Sequence, residues 1–337
     1  MIDIALFGLG RIGLMHGKNL MRNKDFNLKY VYDLNKNLTQ KISKILKSTP
    51  IDNPSMAFKD KKLDAIFIAS TTSTHIKLIL EAVKYKKAIF CEKPLDLNIK
   101  KINDCKKKIK KSNPKIQLGF NRRYDPGHNS LKKELTKGTI GKLEKIIITS
   151  RDPAPPSTDY LKNSGGIFKD MMIHDFDLAR YYAGKDEFES IFATGSNLHD
   201  KKFNKIKDFE LASCVLKTKK GIQCIITNSR HCSFGYDQRV ELFGTKGMLI
   251  SDNKRETETK IYSGNSTNNK SKFLNFFIER YSEAYKIQLD DLFKMCVKKI
   301  KPLANFEDGR KSLVLAQKAM ESTKSRKFEK IKLIFFK

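Results

Sequence analysis

The sequence predicts an α/β protein, an N-terminal Rossmann-type doubly wound parallel sheet followed by an α+β domain with a mostly antiparallel sheet. Three observations carry this expectation. They are the strand–turn–helix "IALFGLGRIG" at the start, apolar runs alternating with helical patterns up to about Phe120, and closely spaced strands later in the chain. At 337 residues the chain exceeds the usual size of one core, so two domains are expected, residues 1–122 and 123–337, with a late helix returning to the first.

In the first part, "IDIALFG", "LKYVYD", "LDAIFIAS", "KAIFCEK" and "KIQLGF" read as strands because they are short, apolar and rich in β-formers. Helices are expected between them, near Arg11–Asn23, Leu38–Lys47, His75–Lys86 and Ile99–Lys111. After "NRRYDP" the texture changes. A helix near Gly127–Lys137 leads to "KLEKIIITSRD", a Pro-rich loop "PAPPSTDY", and "GGIFKDMMIHDFDLARYY", which reads as one mostly apolar helix. The runs "FESIFATGS", "FELASCVLKT", "GIQCIITNSRH" and "QRVELFG" read as an antiparallel sheet, because their connections are short. The polar tract "SDNKRETETKIYSGNSTNNKSK" reads as an exposed excursion, with helices near Phe273–Lys299 and Asp308–Thr323 after it.

The net charge of +30 comes mostly from lysines spread through stretches such as "KKINDCKKKIKKSNPK" rather than gathered in one stripe. Solvated lysines on outer helix faces account for them, and no RNP-like, zinc-finger or basic-zipper pattern points to nucleic acid. No run approaches the ~18 apolar residues of a membrane span, so no membrane association is expected. Six cysteines without C-x-x-C spacing argue against a disulfide framework or a structural zinc and suit a reducing cytoplasm.

Gly8, Gly10 and Gly13 sit where a first strand turns into a helix. Glycines there allow a tight turn, let a pyrophosphate approach the backbone of the first helical turn (Arg11 and Ile12), and let helix pack on strand. Asp33 ends the second strand 20 residues beyond Gly13, placed to accept hydrogen bonds from ribose hydroxyls and to repel a 2′-phosphate, which favours NAD over NADP. "FCEKPLDLN" puts Glu92 and Lys93 at the carboxyl end of the fourth strand, where open parallel sheets bind ligands, and an ammonium there suits a developing alkoxide.

Together "GLGRIG", "CEKPL", "GFNRRYDP" and "GGIFKDMMIHDFDLARYY" resemble the Gfo/Idh/MocA oxidoreductase family, in its motif order and over nearly the whole chain. Within that family, "RDPAPP", "FGYDQRVELFGTKG" and "FFIERYSEAY" are similar to stretches of inositol 2-dehydrogenases. The resemblance implies NAD-dependent oxidation of myo-inositol to its 2-keto product, with Lys93, Asp170 and His174 as the catalytic triad. It also implies a homo-oligomer, a tetramer or dimer. In the loop after the third strand the family's proline is missing, and "STTSTH" offers Thr72 and His75 either to the cofactor or as the entry of a helix.

The residues themselves make the triad chemically sensible. Asp170 and His174 stand at i and i+4, one helix face, and an imidazole titrates near neutral pH, so His174 can take a hydroxyl proton while Asp170 holds the imidazole. A hydrogen-bonded core histidine with a structural aspartate remains the plainer alternative. A metal held by Asp170, His174 and Asp177 would lack the rest of a ligand shell, so no metal is expected. A polyol offers hydroxyls rather than apolar surface, and Arg123, Asp152, Asp175 and Tyr236 are candidates to bind them; Arg123 and Tyr236 are equally suited to ion pairing and to sheet packing. A nucleotide-sensing regulator, suggested by the charge, would need none of Lys93, Asp170 and His174.

Overall fold

The computed structural model describes residues 1–298 and 300–333. Its chain divides into two compact units, Met1–Tyr124 with Ala284–Lys311, and Asp125–Glu283 with Ser312–Lys337.

In the first unit, β1 (Ile2–Phe7), β2 (Phe26–Tyr32), β3 (Thr49–Pro50), β4 (Ala65–Ile68), β5 (Ala88–Cys91) and β6 (Ile116–Leu118) form a sheet of order β3-β2-β1-β4-β5-β6. Every pairing is parallel. The strands are uniformly apolar because both faces are covered: all four residues of β4 have no exposed surface. The two-residue β3 went unread in the sequence. Its Pro50 cannot donate to a ladder, which confines it to the sheet edge. Strand order reverses between β1 and β4, and ligands of open α/β sheets bind at such a switch point.

The helix Ser282–Lys298 adds Leu289, Leu292 and Met295 to the core formed by Ile4, Leu6, Phe67 and Phe90. Its anchor is polar: Tyr124 Oη and the Gln117 side-chain amide both donate to Asp291 Oδ2, at 2.7 and 3.2 Å. The sequence places this helix end at Lys299, which lies outside the described residues.

The second unit contains β7 (Leu143–Arg151), β8 (Phe188–Ser196), β9 (Leu211–Thr218), β10 (Gln223–Ser229), β11 (Asp237–Gly244) and β12 (Gly247–Ser251). The polar tract forms an exposed hairpin of β13 (Lys260–Ser263) and β14 (Ser266–Lys270), and β15 (Glu329–Lys330) closes the chain's last turn onto the sheet. The large sheet has the order β12-β11-β7-β10-β9-β8-β15; β7 and β10 run parallel and the other pairings are antiparallel.

Alternation sorts its two faces. Ile146, Ile148, Cys214, Leu216 and Ile226 point into a core with Phe168, Met172, Phe176 and Leu178. The opposite face carries an apolar row, Ile147, Ile225, Val215 and Phe192, joined register by register, with Val215 41% exposed.

One expected helix is broken. "GGIFKDMMIHDFDLARYY" folds as two helices, Gly166–Asp170 and Ile173–Ala183, interrupted at Met171–Met172. The amides of Met171 and Met172 both return to the Ile167 carbonyl, at 3.0 and 2.8 Å, so the spiral is locally over-filled and restarts. Before it, Gly165 and Gly166 have φ of 85° and 81°, a left-handed pair that side-chain-bearing residues rarely adopt.

Candidate active site

The first unit gathers the nucleotide-binding features. Gly8 has φ of 91°, and a Cβ there would stand 2.4 Å from the Ser70 backbone. A Cβ on Gly13 would lie 1.9 Å from the Gly8 carbonyl oxygen. Gly10 differs: a Cβ there would meet nothing within 4 Å, and Gly10 begins the helix Arg11–Arg22 without a side-chain cap. The first turn of that helix, exposed Arg11 and half-buried Ile12, therefore starts beside a glycine with open space over it, a cradle that fits a pyrophosphate.

Asp33 ties this loop down. Its Oδ2 accepts from the Leu9 amide at 2.8 Å and its Oδ1 from the Asn35 amide at 2.9 Å. A carboxylate has about four acceptor sites, so two remain for ribose hydroxyls. The residues present fit NAD. We expect Gly13→Ala to wedge the loop open at a cost of about 1–3 kcal/mol, read as weaker NAD binding by calorimetry; unchanged affinity would contradict this packing account.

Two of the expected cofactor residues are held by contacts within the chain. His75 is buried, with Nδ1 2.8 Å from the Pro94 carbonyl oxygen and Nε2 3.0 Å from that of Ser70. Burial pushes its pKa down, so the neutral ring donates to one of the two carbonyls, and it fastens two loops together. Thr72, by contrast, is half-buried at the first turn of the helix Thr72–Lys84.

Glu92 is the second. Its Oε1 meets His16 Nε2 at 2.8 Å, and its Oε2 accepts from the Lys93 amide at 3.1 Å. A Cβ on Gly119 would come within 2.7 Å of that Oε2, so glycine is needed beside it. Glu92 therefore braces the backbone of Lys93, itself half-buried just beyond β5. His16, whose ring packs 4.6 Å from that of Phe67 and edge-on to Tyr285, escaped the sequence reading because its partner lies 76 residues away.

Arg123 is also relocated. Its Nη1 donates to the Leu303 carbonyl at 2.6 Å and its Nη2 pairs with Asp308 at 3.2 Å, so its guanidinium holds the first unit's returning segment.

In the second unit, Asp170 ends its helix with both carboxylate oxygens engaged. Tyr160 Oη donates to Oδ1 at 2.8 Å, and Arg230 Nη1 donates to Oδ2 at 3.0 Å. His174 follows in the next helix, so the expected single helical face does not exist. From Asp170 to Arg180 every residue except His174 is buried, which leaves its imidazole as the reactive group that this run presents.

Asp152 follows β7, its Oδ2 4.0 Å from Arg230 Nη1. Asp175 is fully buried, accepting from Ser150 Oγ at 2.7 Å and Asn228 Nδ2 at 2.9 Å; it pins the helix to the sheet and is no open substrate contact. Tyr236 is buried edge-on to Phe276 and Tyr281, with ring centroids 5.9 and 6.1 Å away.

Tyr160 and Arg230 were missed. Burial opposes the charge of Arg230, but Asp170 above all, then Asp152 and Asp208, outweigh it and hold its pKa above the ordinary guanidinium value. Asp208 accepts from the Ile167 amide at 2.9 Å and fills the place of a Gly166 side chain, a Cβ there standing 2.7 Å from Oδ1. Burial pushes the Asp208 carboxyl up. Among the described residues no three His, Cys, Asp or Glu side chains are grouped to hold a metal.

Comparison with known proteins agrees with this division of labour. Residues 2–120 match the oxidoreductase family described by its NAD-binding Rossmann fold, and residues 128–250 match the GFO/IDH/MocA C-terminal domain. The chain belongs to the Gfo/Idh/MocA oxidoreductase family. This Gfo/Idh/MocA chain is 40% identical to the myo-inositol 2-dehydrogenase of Thermotoga maritima, over 97% of its own length and 99% of the relative's. A crystal structure of a myo-inositol dehydrogenase from Corynebacterium glutamicum superposes with a TM-score of 0.94 at 38% identity, covering 99% of this chain and 100% of that one. The scyllo-inositol dehydrogenase of Lactobacillus casei, solved with NAD(H) and scyllo-inositol bound, gives 0.91 at 26% identity, covering 98% and 99%.

Proposed function

We propose that this oxidoreductase catalyses NAD-dependent oxidation of myo-inositol at C2 to 2-keto-myo-inositol, in the catabolism of inositol. The observation that carries the reading is the run Asp170–Arg180, in which His174 alone is not buried and follows a carboxylate engaged on both oxygens. The 40% identity to a myo-inositol 2-dehydrogenase supports the substrate.

The chemistry follows from the residues. His174 takes the hydroxyl proton on its imidazole. Asp170 balances the imidazolium that results, and Lys93 stabilises the negative charge growing on the substrate oxygen. NAD, when bound, accepts the hydride that leaves the carbinol carbon. Asp152 is retained as a hydroxyl partner of the polyol, and Asp33 selects NAD over NADP by repelling a 2′-phosphate.

Initial rates at 340 nm with myo-inositol, scyllo-inositol and D-glucose, each with NAD or NADP, test this. The reading predicts NADH formation from myo-inositol, with NADP a poor acceptor; no reduction with any polyol would overturn it. Oxidation of scyllo-inositol or another cyclic polyol instead is the second reading, favoured by the fold shared with the Lactobacillus casei enzyme.

We further infer a homo-oligomer, a tetramer or dimer, using the apolar row of the open sheet face, since a contiguous, partly exposed apolar row suits a self-complementary contact. Light scattering after size exclusion should give a multiple of the 38.8 kDa chain mass, with Val215→Glu moving it toward monomer. A monomeric wild-type protein would contradict this. Six free cysteines, five of them buried, support a cytoplasmic location, and no helix among the described residues is long and apolar enough to cross a membrane.

A further inference from the structure

Arg230 has no role in the reading so far, yet it is 1% exposed and stands among Asp170, Asp152 and Asp208. Buried guanidinium groups that act as structural staples grip a carboxylate through several N–H groups. In this chain Arg280 reaches Asp125 through both Nη1 and Nη2, and Arg310 reaches Glu307 through Nε and Nη2. Arg230 is different. Its side chain makes one hydrogen bond, to Asp170, stands 4.0 Å from Asp152, and has no hydrogen-bond partner at Nε or Nη2 among the described residues.

Leaving buried donors unused costs stability, so an arginine kept in that state is better explained by what its charge does for Asp170 than by what it holds together. We propose that Arg230 is a positioning residue of the substrate site, the cation that keeps the Asp170 carboxylate fixed as an anion beside His174. This rests on the catalytic reading of Asp170 and His174 given above.

The charges around Asp170 set the consequence. Arg230 faces it from beyond β10, Asp152 from beyond β7, Asp208 from before β9 and the Tyr160 hydroxyl from the helix Thr158–Ser164, while Lys169 and His174 lie on its own stretch of chain. Without Arg230, Asp170 keeps Asp152 and Asp208 as neighbours and loses the cation that faces it from beyond β10, and like charges disfavour the anion. Asp170 then either holds its proton into the working range, so that its own ionisation sets the limb, or stays charged and makes His174 more basic. Both outcomes move the acid limb of activity to higher pH.

The test is the pH profile of kcat/KM for myo-inositol at saturating NAD, with Arg230→Gln and Arg230→Lys. Arg230→Gln should raise the acid limb by about 1–3 pH units, and Arg230→Lys, which keeps the charge but not the reach of Nη1, should raise it by less. NAD affinity, measured by calorimetry, should stay at the wild-type value in both. An acid limb in its wild-type place in Arg230→Gln overturns the proposal even if kcat falls, since a merely structural arginine would lower activity without moving the profile. If Arg230→Gln does not fold, Arg230→Met, which also removes the charge, takes its place, and an unmoved limb there overturns it equally. Asp170→Asn separates the layers: wild-type turnover in that variant sinks the role of Asp170 itself, whereas lost turnover with an unmoved limb in the Arg230 variants sinks Arg230 alone.

Discussion

Replacing His174 with Gln should lower kcat for the polyol by about 10²–10⁴-fold, the range general base catalysis contributes, while leaving NAD binding intact. Glutamine keeps much of the side chain's volume and polarity but cannot take a proton near neutral pH. The surrounding run is otherwise buried, from Asp170 through Arg180, so this exchange at its one partly exposed position should leave the packing undisturbed. The acid limb of the wild-type profile, where the imidazole becomes protonated and can no longer act as a base, should vanish with it. Turnover within a fewfold of wild type would assign His174 to structure.

Lys93→Ala should remove most turnover by a different route. Loss of a donor placed at a developing oxyanion costs about 10²–10³-fold in kcat. The Lys93 backbone is braced by its amide's bond to Glu92, which in turn rests on His16, and both contacts survive the truncation. The glycine loop and Asp33 are untouched, so NAD affinity should hold. Undiminished turnover would remove Lys93 from the chemistry, and lost NAD binding would show that its ammonium serves the cofactor instead.

How far the sequence revealed these features depended on where their causes lie. The parallel sheet and the glycine loop were legible because their requirements are local. Continuous apolar strands signal burial on both faces, and Gly8 and Gly13 answer to backbone atoms within a few residues or on the adjacent strand end. The break at Met171–Met172 was not legible. Ile167, Phe168, Met171, Met172 and Ile173 are all buried, so an apolar helical pattern runs unbroken across a discontinuity that only backbone bonding exposes.

Side-chain roles fared worse where partners come from distant segments. Asp175 looked like a substrate contact on its helix, yet Ser150 and Asn228, on β7 and β10, claim both its oxygens. Arg123, His75 and Glu92 were likewise drawn to Leu303, Pro94 and His16. Arg230 and Tyr160 carried no motif of their own, and their meaning appears only once both are bonded to Asp170.

The central claim is that a hydride leaves C2 of myo-inositol for NAD. Myo-inositol deuterated at C2 tests it most directly, with the nicotinamide product read by mass spectrometry. The account predicts one deuterium in each reduced NAD formed and none released to water. Unlabelled reduced NAD from that substrate would show that oxidation occurs at another carbon, and would contradict the assignment.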